Sequence, residues 1–292
     1  MHKLIDKLVS SGVVVTDGGL GTQLQARGLP IEAYPEQWNL SHPEKVEEVA
    51  RAYAEAGSQI VLTNTFGANR FVLGRHGESD RVAEINRAGV EIALRAVAGR
   101  AHVFGSIGPS GVMLLMGDVS DKELQVAYAE QARALAEAGA AGLAVETMSD
   151  LNEARLAVAA AAETGLPVVA CMVFGSGREH DRTIMGNTPE QAAAELAAAG
   201  AEVIGSNCGQ GIEGFVPICR RLRAATDRPI WIKANAGLPE MVDGRTVYAQ
   251  TPERFAESVP ALVEAGASFV GGCCGTTPEF IRAIRRACKT MS

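Results

Sequence analysis

Ala265-Gly266-Ala267-Ser268-Phe269-Val270-Gly271-Gly272-Cys273-Cys274-Gly275-Thr276-Thr277-Pro278 is the stretch whose reading decides the fold. Ala265-Gly266 marks the end of a helix, because glycine takes the left-handed cap position at little steric cost. Ser268–Val270 is then a short apolar strand. Thr277-Pro278 opens the next helix, with a hydroxyl at the cap and proline at the first turn. Between strand and helix lies a pair of thiols framed by glycines. Adjacent strand residues point to opposite faces, so Cys273 and Cys274 can act together only if the strand has ended and the backbone turns.

The same punctuation recurs upstream at Ala56-Gly57, Ala138-Gly139 and Ala199-Gly200. Apolar runs follow in order: Val13–Thr16, Gln59–Thr63, His102–Ser106, Gly142–Val145, Pro167–Val173, Glu202–Gly205, Pro229–Lys233 and Ser268–Val270. Helical patterns separate them over Pro43–Ala56, Arg81–Ala98, Lys122–Ala138, Leu151–Glu163, Pro189–Ala199, Ile212–Ala225, Pro252–Ala265 and Pro278–Cys288, with Ser41 and Asp150 as candidate caps. Strand-then-helix alternation predicts a parallel sheet. Eight such units over 292 residues predict one (β/α)₈ TIM barrel spanning residues 1–292, with the active site at the C-terminal ends of the strands. The glycine-rich and polar signals do fall after strands, while the helix-to-strand joints are short and bland.

A hydrophobic content of 47% suffices for a large core, and a net charge of −7 without a Lys/Arg cluster argues against nucleic acid. Arg220, Arg221 and Arg223, like Arg282, Arg285 and Arg286, read as solvated helix faces. No apolar run reaches 18 residues, so no membrane span is expected, and the N-terminus does not read as a signal peptide. Six cysteines in a chain of this length suggest reduced thiols in a cytoplasmic protein rather than a disulfide scaffold.

Ser206-Asn207-Cys208-Gly209-Gln210-Gly211 ends the sixth apolar run and supplies a third thiol. Cys208, Cys273 and Cys274 together would make a soft-metal site, zinc first, with its fourth position open. Buried inert thiols or a vicinal 273–274 disulfide are the plainer reading. Cys171, Cys219 and Cys288 read as packing residues. His42, His76, His102 and His180 lack metal-ligand spacing. Asp17-Gly18-Gly19 after the first strand could receive the amino and carboxylate groups of an amino acid, or be an ordinary turn. Glu146 at the end of the fourth strand is a candidate ligand-holding carboxylate. Asn64, Asn207 and Asn235 are candidate orienting amides or turn closers. Lys233 is the lysine of the strand-end set, which keeps a Schiff-base lyase or aldolase in view.

Asp17-Gly18-Gly19-Leu20-Gly21-Thr22, Asn64-Thr65-Phe66-Gly67-Ala68-Asn69, Gly108-Pro109, Glu146-Thr147, Asn207-Cys208-Gly209, Asn235-Ala236-Gly237 and Gly271-Gly272-Cys273-Cys274-Gly275 run along the whole chain in one order. This set resembles the homocysteine S-methyltransferase family. The first two motifs look most like the homocysteine module at the N-terminus of cobalamin-dependent methionine synthase. The resemblance implies that Cys208, Cys273 and Cys274 hold a catalytic Zn2+. It implies that Asp17 and Glu146 take the amino group of homocysteine, that amides near Gly18 and Gly19 take its carboxylate, and that Asn235 belongs to the substrate site. It implies methyl transfer giving methionine, from a methyl-corrinoid on a separate corrinoid protein, or from betaine or a sulfonium such as S-methylmethionine. A non-catalytic zinc-stabilised module that needs a partner protein is the remaining alternative.

Overall fold

The computed structural model describes residues 1–242 and 245–290. The described residues form ten strands: β1 Val14–Val15, β2 Ile60–Leu62, β3 His102–Ile107, β4 Gly142–Met148, β5 Val168–Met172, β6 Val203–Gly211, β7 Ile230–Asn235, β8 Pro239–Val242, β9 Arg245–Tyr248 and β10 Ala267–Gly272. Eight of them form one sheet in the order β1-β10-β7-β6-β5-β4-β3-β2, and each neighbouring pair is parallel. The two edges meet where Thr16 bridges Ile60 and the Gln59 N–H donates to the Val15 carbonyl at 2.7 Å. The sheet is therefore a closed (β/α)₈ barrel, as the alternation predicts.

Strand residues of one parity point inward. Val14, Ile60, Phe104, Ala144, Val169, Val203, Trp231 and Phe269 fill the interior as one cluster. Trp231 lies 5.1 Å from Phe269 between ring centroids. Residues of the other parity, including Val15, Val61, Val103, Leu143, Val168, Ile204 and Val270, pack outward beneath the helices. Both faces are buried, which is why the strands read as continuous apolar runs rather than alternating ones. A helix over Lys3–Val9 drives Ile5 and Leu8 into the interior cluster from the N-terminal end.

Further up four of the strands, the inward positions turn polar. Phe104 is followed on its face by Ser106, Ala144 by Glu146, Trp231 by Lys233 and then Asn235, and Val203 by Gly205 and then Asn207. All of these except glycine are buried polar residues. The period-two arithmetic of the strands thus delivers the candidate site to the C-terminal mouth.

Several local expectations change. Ser41 does not cap the Pro43–Ala56 helix; His42 holds that position without a side-chain bond, and Ser41 Oγ donates to the Gln37 carbonyl at 3.1 Å. Asp150 does cap its helix, accepting from Asn152 and Glu153. The expected helix over Pro252–Ala265 is two pieces, Pro252–Glu257 and Val259–Glu264, because Pro260 has no N–H to give to the turn before it. The loop after β7 contains the antiparallel β8–β9 hairpin. No helix among the described residues is long and apolar enough to cross a membrane.

Candidate metal centre and substrate cavity

β10 ends at Gly272 and the chain turns at once, with the Thr276 N–H donating to the Cys273 carbonyl at 3.1 Å. The turn puts both neighbouring thiols on the same side as Cys208. The three sulfurs lie within 4.8 Å of one another, and Cys208 Sγ is 4.0 Å from Cys274 Sγ. Sulfurs at about 2.3 Å from a tetrahedral zinc are about 3.8 Å apart, so the donor set and its spacing fit such an ion. Among the described residues this is the one group of three such side chains close enough to share a metal. The vicinal disulfide is not formed. Contact with Cys273 and Cys274 draws the Cys208 thiol below the ordinary range. The same contacts, with burial, hold Cys273 above it.

Two residues at this site adopt the left-handed backbone region that favours glycine: Cys208 at φ 61° and Thr147 at φ 59°. Such strain is of order 1–3 kcal/mol per residue and persists only where surroundings enforce it. Asn207 is the enforcer. Its Oδ1 accepts from the Thr147 N–H at 2.7 Å. Its Nδ2 donates to Thr147 Oγ1 at 2.7 Å, to Glu146 Oε2 at 3.3 Å and toward Cys273 Sγ at 3.9 Å. One carboxamide therefore ties the β4 carboxylate to the thiol cluster.

The first loop is stitched to the thiol turn. Thr22 Oγ1 accepts from the Gly275 N–H at 3.2 Å, and Thr276 Oγ1 accepts from the Gly19 N–H at 3.0 Å. A Cβ on Gly19 would sit 2.4 Å from the Cys273 carbonyl oxygen, so only glycine allows this approach. Gly19, expected to offer its N–H to a substrate carboxylate, gives it instead to Thr276. Gly18, Gly19, Leu20 and Gly21 all line the adjoining cavity.

That cavity, about 380 Å³, runs from Cys208, Cys273 and Cys274 past Asp17, Glu146 and Lys233 to Tyr34 and Phe66. Lys233 Nζ donates to Asp17 Oδ1 at 2.5 Å, and both groups are almost fully buried. Asp17 Oδ2 accepts from the Leu62 N–H at 2.7 Å. Burial alone would lower the lysine, but Asp17 and Glu146 outweigh it and hold the ammonium above its usual range. A Schiff-base lysine needs a lowered pKa and a free lone pair, so the ion pair works against the lyase reading. Burial raises the Glu146 carboxyl, and Lys233 and Ser106 only partly offset it; Ser106 Oγ donates to Glu146 Oε1 at 2.6 Å. Asp17, Glu146 and, farther along the wall, Glu36 give the cavity three carboxyl groups against the one ammonium of Lys233; Glu36 Oε1 accepts from the Gly67 N–H at 2.6 Å.

Asn235 does not line the cavity. Its Oδ1 accepts from the Cys274 N–H at 3.1 Å and its amide faces Cys208, so it sits against the sulfurs. Asn64 closes turns, donating to the Pro35 carbonyl at 2.7 Å. Cys171 and Cys219 are buried packing residues and Cys288 packs against the helical layer. Sequence reading missed Ser106, Thr276 and Thr22. The first could have been found by counting two up from Phe104; the other two are revealed only by loop-to-loop contact.

The family model for homocysteine S-methyltransferases matches residues 14–288. The chain is 32% identical to methionine synthases of Mycobacterium tuberculosis and Mycobacterium leprae over 97% and 94% of its length. It spans about a quarter of those relatives, 25% and 24% respectively. The homocysteine methyltransferase MmuM of Escherichia coli in its metallated form shares the fold, with a TM-score of 0.80 at 24% identity over 98% of this chain and 99% of that one. With the whole barrel and all its strand-end motifs inside the matched region, the chain belongs to the homocysteine S-methyltransferase family.

Proposed function

We propose that this chain transfers a methyl group to the thiol of homocysteine, giving methionine, with zinc held by Cys208, Cys273 and Cys274. The observation that carries the reading is the convergence of three sulfurs at one end of a cavity whose wall holds more carboxyl groups than ammonium groups. Zinc, when bound there, supplies the Lewis acidity that deprotonates a coordinating thiol near neutral pH and keeps it nucleophilic. A free thiol has a pKa of about 8.5 and is a weak nucleophile at pH 7.

The chain's own residues bind and orient. Glu146 receives the substrate ammonium, while Asp17, fixed by Lys233 and the Leu62 N–H, adds the second negative charge. The backbone of Gly18, Leu20 and Gly21 faces the substrate carboxylate. Asn207 and Asn235 hold the sulfurs. Positioning of this kind can be worth about 7–11 kcal/mol of the barrel's contribution to rate. No protein nucleophile is required.

For the donor, a methyl-corrinoid carried by a protein is the reading we favour over betaine or S-methylmethionine. The likeness to methionine synthases supports it. So does the rim of the mouth, where Met113, Met116, Ile184, Met185, Leu238 and Met241 are exposed on loops that all follow barrel strands. The test is zinc-loaded protein with homocysteine, assayed in parallel with methylcobalamin, betaine and S-methylmethionine and with no partner protein, detecting methionine. Cys208→Ala, Cys273→Ala and Cys274→Ala should each abolish zinc retention and turnover. Wild-type zinc content and turnover in all three would end the assignment, and a chain inert with every donor would favour the partner-dependent module.

A further inference from the structure

The β8–β9 hairpin is exposed along most of its length: Pro239, Glu240, Met241, Thr246 and Val247 all face solvent. Tyr248, its last residue, is different. It is part-buried and packs against the main core. Its ring lies so close to Gly275 that a Cβ there would be 2.2 Å from the ring carbon Cγ. Gly275, at φ +80°, is the residue immediately after Cys274. The base of the hairpin is tied to the same turn, since the Gln250 N–H donates to the Ala236 carbonyl at 3.1 Å and the Ala236 N–H to the Cys274 carbonyl at 3.0 Å. The Tyr248 side chain interacts with the Cys274 thiol. Asn207 reaches Cys273 and Asn235 faces Cys208, so each of the three sulfurs has one polar side chain from outside the triad directed at it.

We propose that Tyr248 is a positioning residue for the metal centre: its O–H donates to the Cys274 sulfur, and its ring clasps the hairpin over the Cys273–Gly275 turn. A donor to a coordinating thiolate withdraws charge from the sulfur and fixes its orientation. Removing such an outer partner typically weakens metal affinity 10- to 100-fold. The inference rests on the metal reading above and adds the hairpin to it. The hairpin therefore serves the sulfurs and is more than a surface excursion.

Tyr248→Phe keeps the ring on Gly275 and removes only the hydroxyl. Zinc affinity by chelator competition should fall about 10- to 100-fold, with circular dichroism and Tm of the metal-free protein unchanged. In the cobalt(II)-loaded protein, the sulfur-to-cobalt charge-transfer bands should move to longer wavelength, because a thiolate that loses a donor is more easily oxidised. Tyr248→Ala, which also frees the hairpin, should lose more affinity. Identical affinity and identical band positions in wild type and Tyr248→Phe would overturn the role of the tyrosine. Failure of the wild type itself to bind zinc or cobalt would overturn the metal reading and this inference with it.

Discussion

Glu146 carries two opposed demands. Burial pushes its carboxyl above the ordinary carboxylate range, yet binding an ammonium needs it ionised. The sign follows: the folded state holds this proton more tightly than the unfolded chain, so its stability contribution is lost as pH rises above the unfolded value. Glu146→Gln should therefore leave Tm at neutral pH equal or higher, while KM for homocysteine rises about 10-fold or more, the worth of a charged hydrogen bond. In the wild type, homocysteine affinity should increase with pH just above the usual carboxylate range, and a flat profile there would count against an ammonium at Glu146. Lys233 predicts the reverse pattern. Lys233→Met leaves Asp17 buried without its cation and should destabilise by about 3–5 kcal/mol in urea unfolding. The double variant with Asp17→Asn should recover part of that loss. Borohydride with carbonyl substrates should trap nothing on Lys233.

Strands, loops and helices differ in how far their residues announced them. The barrel was legible because parallel strands are apolar on both faces and are separated by amphipathic helices with glycine stops. The thiol turn was legible because two adjacent cysteines between glycines have few structural uses. The Lys3–Val9 helix was not, since seven residues give barely two turns of pattern. Nor was the hairpin, whose exposed faces carry no alternation toward a core. The break at Ser258 could have been read from Pro260 and was not. Asn235 looked like a substrate residue because its neighbours along the chain are site-like, whereas its carboxamide belongs to a neighbouring strand's sulfurs. The short N-terminal helix makes a prediction at this scale. Ile5 is fully buried inside the barrel, so Ile5→Ala should cost about 2–5 kcal/mol by denaturant titration, with zinc binding by the folded fraction unaffected.

Taken whole, the molecule joins two ends of different character: an apolar packed interior and a polar mouth where three thiols meet buried carboxyl groups. Metal bound only by the folded state stabilises it by mass action, about 2.7 kcal/mol at a hundredfold excess over Kd. Zinc loading should accordingly raise Tm by about 5 °C, and the rise should vanish in Cys274→Ala. The plug formed by Ile5 and Leu8 beneath Trp231 and Phe269 has a kinetic corollary. With its floor sealed, the cavity is reached from the strand-end mouth, and the substrate and product of the proposed reaction must use it by turns. On that reaction methionine has to leave before another homocysteine is admitted, so added methionine should compete with homocysteine for free enzyme, and queueing at that doorway sets an upper bound on throughput.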